Sequence, residues 1–126
     1  MKYLIKLLEE RYRKPISEFT SIYWDNISKD EELELSENFI REFQDKVNWT
    51  WISKYQKLSE DFMREFQDKL YWPYISIYQK LSEDFIREFI SKVNMFYVSE
   101  YQKVSHDFII SRSALVLADY QKAKNW

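Results

Sequence analysis

Glycine and cysteine are absent from this 126-residue chain, and it has only two prolines, three alanines and one histidine. Without cysteine there is no disulfide, no thiolate zinc site and no thiol nucleophile. Without glycine there is no phosphate-cradling loop, and the Asn-Gly and Asp-Gly turns that favour β-hairpins are missing. A single histidine, His106, cannot build the constellation that a metal centre or a catalytic triad needs. It stands where other copies of an internal repeat carry glutamate, and is read as an exposed substitution. No run approaches the roughly 18 apolar residues of a membrane span. The opening "MKYLIKLLEERYRK" has a short apolar run broken by Glu9 and Glu10, unlike a secretory signal. Basic residues are not in excess: 19 Lys and Arg face 21 Asp and Glu, for a formal net charge of −2, so a globally basic nucleic-acid footprint is missing. These absences lead us to expect a soluble, cytoplasmic, non-enzymatic protein without cofactor or metal. The sequons at Asn26 and Asn48 are then chance matches.

What the chain does have is 45% hydrophobic, 32% charged and 19% aromatic residues. That composition folds, and the length suits one domain, residues 1–126. A phrase of 23 residues recurs. It reads "LSENFIREFQDKVNWTWISKYQK" at 35–57, "LSEDFMREFQDKLYWPYISIYQK" at 58–80 and "LSEDFIREFISKVNMFYVSEYQK" at 81–103. Residues 104–126 open with "VSHDFIIS" and reach "ADYQK", a copy shortened by four residues, and residues 1–34 contain the half-copy "YWDNIS". Regular centres between divergent ends are the pattern of a capped repeat array.

Each copy reads as two helices. Ser36, Ser59, Ser82 and Ser105, three of them followed directly by acids, are N-caps. After Ser59, residues Phe62, Met63, Phe66 and Leu70 fall on one helical face. The opposite face offers Glu60–Arg64 and Glu65–Lys69 as i,i+4 pairs on a solvated surface. A second helix of about eight residues starts after Asn48, Tyr71 or Asn94, with Pro73 in its tolerated first turn. With no glycine to end a helix, Asn48 and Asn94 are expected to serve as stop and start together. The expected fold is all-α: a short-helix α-solenoid of stacked helix pairs with divergent terminal caps.

The aromatics recur in register. Trp49, Trp72 and Met95 share a stripe with Ile52, Ile75 and Val98 and belong to the core. Trp51, Tyr74 and Tyr97 form a second stripe with Tyr55, Tyr78 and Tyr101, continued by Tyr120. That stripe is either filler between repeats or an exposed ladder for a protein partner. Acids concentrate between 25 and 45, and Glu31, Glu32 and Glu34 are the candidates for meeting a basic partner. Lys57, Lys80 and Lys103 beside the tyrosines leave single-stranded nucleic-acid binding as an alternative. Self-association through an end repeat is a third.

The words "LSEDFIREF", "DKVNW" and "ISKYQKLSEDF" resemble a tandem-repeat family of hypothetical proteins from bacteria, phages and large viruses. The richness in Lys, Ile, Asn, Tyr, Phe and Glu points to the same AT-rich sources. The resemblance covers 36–103 well and 105–122 loosely. It implies an interaction module. Its specific form is a phage-encoded inhibitor of a host defence complex of the CRISPR type, docking on a basic, nucleic-acid-binding surface in the host cytoplasm.

Overall fold

The computed structural model describes residues 1–125. Among them are ten α-helices and one 3-10 turn, with no strand, so the fold is all-α and built of short helices. No described helix is long and apolar enough to cross a membrane. By internal contacts the chain divides into two compact units, Met1–Leu58 and Ser59–Trp126. The first holds α1 (Lys2–Tyr12), a 3-10 turn (Ile16–Glu18), α2 (Ser21–Ser28), α3 (Glu37–Glu42) and α4 (Trp49–Tyr55). The second holds α5 (Glu60–Glu65), α6 (Trp72–Tyr78), α7 (Glu83–Glu88), α8 (Met95–Tyr101), α9 (His106–Ile110) and α10 (Ser113–Ala123). Within each unit the second helices of successive copies stack: α2 on α4, and α6, α8 and α10 in a row.

The serine caps form as expected. Ser36, Ser59, Ser82 and Ser105 accept from the N–H groups of Phe39, Phe62, Phe85 and Phe108. Asn48 and Asn94 cap α4 and α8 in the same way, through Trp51 and Tyr97. The helix ends differ from expectation. The first helix of each regular copy has six residues and stops at Glu42, Glu65 or Glu88, not near Leu70. Each ends on a phenylalanine with φ close to −108°. Asn48 and Asn94 have φ of −89° and −93°, so they start helices and stop none. Glycine is dispensable because these ends need no left-handed residue; the one positive φ among described residues is Arg13, closing α1. Six residues, 66–71, join α5 to α6. Side chains satisfy the carbonyls this turn frees: the Gln67 amide donates to Arg64 C=O at 3.0 Å and the Trp72 indole to Gln67 C=O at 2.9 Å. Gln44 and Trp49 repeat both bonds. In the third copy Ile90 and Met95 replace that pair together, and the turn keeps its backbone bonds to Phe89.

The core is aromatic. Phe39, Phe62, Phe85, Ile40, Met63, Ile86, Ile52, Ile75 and Val98 are fully buried. Phe66 and Leu70 are buried although the helix has ended before them, so the face was read correctly and the helix length was not. Trp24 and Trp72 each meet the phenylalanine pair of the following copy. Trp24 lies 6.1 and 5.1 Å from Phe39 and Phe43, and Trp72 stacks at 6.1 and 5.3 Å on Phe85 and Phe89. Bulky rings fill the space between copies because alanine is almost missing from them.

Polar side chains register the copies. The Ser76 hydroxyl donates to Trp72 C=O and accepts from the Asn94 N–H of the next copy; Ser28 does the same between Trp24 and Asn48. Gln102 accepts from Leu81 N–H at 3.0 Å and donates to Ser76 and Gln79 C=O at 2.9 and 2.7 Å. Gln56 binds Leu35 N–H and the Asp30 carbonyl alike. The Arg-Glu face is also more than a solvated surface with i,i+4 pairs. Glu60 accepts from the N–H and hydroxyl of Ser82, and Glu83 from those of Ser105. Arg64 pairs with Asp61 and with Glu88 of the following copy, while Arg87 keeps its i,i+4 partner Glu83 at 3.4 Å.

This explains His106. At its position a glutamate would hold the next cap serine, but two residues past Lys122, where the other copies have that serine, stands Lys124; His106 is exposed. Arg112 takes the place of the second ring of the pair, with its guanidinium 4.0 Å from the Phe108 centroid. The "ADYQK" match is one of wording only. Gln121 is exposed, and the buried polar group is Asp119, which accepts from Met95 N–H at 2.7 Å and fastens α10 to α8.

Phe85→Ala is expected to cost about 3–5 kcal/mol in urea unfolding, from lost burial and an unfilled cavity. Gln102→Ala is expected to lower stability by about 1–3 kcal/mol for each group it strands, with the helical circular dichroism of the native baseline retained.

Candidate protein-binding surface

The expected core stripe and the expected ladder are different faces of the same helices. Ile52, Ile75, Met95 and Val98 are fully buried, and Trp72 is buried too. The residues two and six positions after the first stripe then lie on the adjoining face. There Trp51 and Tyr55 stand 5.9 Å apart on α4, Tyr74 and Tyr78 5.7 Å apart on α6, and Tyr97 and Tyr101 6.3 Å apart on α8. In unit 2 the first ring of each pair is half-buried and the second is exposed, Tyr78 by 50% and Tyr101 by 60%. The ladder is filler at its foot and surface at its top. In unit 1 both Trp51 and Tyr55 are half-buried. Tyr120, the expected continuation, packs 4.8 Å from Phe96 instead.

One member escaped the sequence reading. Tyr71, at the position of the capping asparagines, has no side-chain cap bond; its ring lies 4.9 Å edge-on to Tyr74 and is 40% exposed. The signal was the departure of one copy from Asn, which removes a cap and adds a ring. Burial raises the Tyr97 phenol above the usual range, helped by the nearby phenols of Tyr101 and Tyr71. The five rings Tyr71, Tyr74, Tyr78, Tyr97 and Tyr101 are therefore one surface of unit 2.

Beside it runs a groove of about 440 Å³ lined by Tyr78, Lys80, Tyr101 and Lys103 together with Ile77, Gln79, Leu81 and Gln102. Neither Lys80 nor Lys103 is paired with a carboxylate among the described residues. Unit 1 has a counterpart of about 310 Å³ lined by Glu31, Glu34, Leu35, Ser36, Tyr55, Gln56 and Lys57. Two of the three candidate acids thus meet a ladder tyrosine. Glu32 is exposed but lies off that lining, and its N–H donates to Asp30. Asp30 in turn pairs with Arg11 of α1 at 3.0 Å, which removes one charge from the acidic segment. Glu31, Glu32 and Glu34 stay exposed. Among the described residues no group of three or more His, Asp or Glu is placed to hold a metal ion.

No protein-family model, no curated protein and no solved structure matches this chain.

The raised Tyr97 phenol has a pH consequence. A group that keeps its proton longer when folded leaves stability untouched below the unfolded pKa, and stability falls as pH climbs from there toward the folded pKa. Tyr97→Phe is expected to flatten that alkaline decline, measured as the urea midpoint through the phenol range. An unchanged decline would remove Tyr97 from the buried side of the ladder.

Proposed function

We propose that this protein is a non-catalytic protein-binding module whose contact surface is the tyrosine ladder of unit 2, with the acidic rim of unit 1 as a second contact for basic groups. The observation that carries the reading is the exposure of Tyr78 and Tyr101 side by side on a scaffold whose capping and register-setting side chains are committed elsewhere. The recurring serines, the capping asparagines, Gln56, Gln102, Glu60 and Glu83 all hold one copy to the next or cap a helix. Phe39, Phe62, Phe85, Trp24 and Trp72 fill the core. Tyr78 and Tyr101 are exposed instead, and rings with a polar edge and few rotatable bonds are common interface anchors. Under this reading a basic surface, such as that of a nucleic-acid-binding protein, suits Glu31, Glu32 and Glu34.

The test is quantitative capture from extracts of the native source cells. The immobilised protein is expected to enrich specific proteins that Y78A/Y101A loses, at unchanged thermal stability. E31K/E32K/E34K should weaken capture in a salt-sensitive manner. A capture profile indifferent to the tyrosine substitutions would overturn the reading.

A further inference from the structure

The groove of unit 2 narrows the kind of partner, on the premise that the ladder is a binding surface. Its two exposed rings, Tyr78 and Tyr101, stand at equivalent positions of α6 and α8, which pack directly on each other. Packed helices lie about 8–10 Å apart. A polyproline II chain advances about 9 Å per turn of three residues, so every third residue presents the same face at about the separation of packed helices. A β-strand turns residues three apart to opposite faces and cannot address both rungs alike.

Charge selects further. Lys80 and Lys103 follow the rungs by two residues, line the groove and have no carboxylate partner, and no acidic residue lines the groove. The equivalent groove of unit 1 is the contrast: there Glu31 and Glu34 line it with Lys57. The two grooves share a position in the copy and differ in charge. We infer that the Tyr78–Tyr101 groove binds an acidic, proline-containing segment in the polyproline II conformation, with apolar residues on the two rings and carboxylates at Lys80 and Lys103. Aromatic-lined grooves take such segments because the chain is already extended and loses little entropy on docking.

The test uses the full chain and fluorescein-labelled peptides followed by anisotropy. A peptide of repeated Glu-Pro-Pro triplets is expected to bind saturably. Y78A/Y101A and K80E/K103E should each weaken it about tenfold or more. A peptide of equal charge built from Glu-Gly-Ser triplets should bind about tenfold more weakly, because it must be ordered on docking. A Lys-Pro-Pro peptide and an oligothymidylate should not compete. Equal affinity for the flexible acidic peptide, competition by oligothymidylate, or failure of the Glu-Pro-Pro peptide to bind would each overturn the inference. If that peptide fails while capture still depends on Tyr78 and Tyr101, the broader reading of the ladder stands and only this inference falls.

Discussion

The side-chain amide of Gln102 has one acceptor and two donor hydrogens, and the backbone around it uses all three. Leu81 N–H, Ser76 C=O and Gln79 C=O are the partners, at 2.7–3.0 Å. Those carbonyls belong to the last turn and end of α6, and the N–H opens the next copy, groups that six- and seven-residue helices leave without intrahelical partners. The glutamines that end α4 and α8 are therefore what lets helices this short end against the core. Gln56 meets the same demand in unit 1. No buried side-chain nitrogen or oxygen among the described residues lacks a partner.

The same constraint sorts the rest of the repeated phrase. Serine hydroxyls accept the N–H of the next capping asparagine, first-turn glutamates accept the N–H of the next capping serine, and arginines lie over the next phenylalanine. Surface ion pairs alone would contribute about 0–1 kcal/mol each. Here the carboxylates hold helix N-termini, where an N–H would otherwise go unpaired. The place of His106 follows from this division of labour, since Lys124 stands where the next cap serine would be.

The repeat, the all-helical class, the serine caps and the buried face of each helix were legible in the sequence. Spacing alone placed Phe62, Met63, Phe66 and Leu70 together, and all four are buried. Helix length was not legible. A 3.6-residue pattern continues into a helical-looking turn, and only the geometry at Phe66 shows that the ladder of backbone bonds has stopped. The partner of Arg64 was equally hidden, because i,i+4 spacing names a neighbour on the same helix and is silent about Glu88, 24 residues on.

For the candidate site, the register of Tyr74, Tyr78, Tyr97 and Tyr101 was fixed by the 23-residue period, because equivalent positions in equivalent copies must recur on one face. Whether those rings were filler or surface could not follow from the period. That depends on how closely successive second helices approach, which is set by the glutamine and serine bonds between copies. The tertiary structure decided it, burying the first ring of each pair partway and leaving Tyr78 and Tyr101 exposed beside two unpaired lysines.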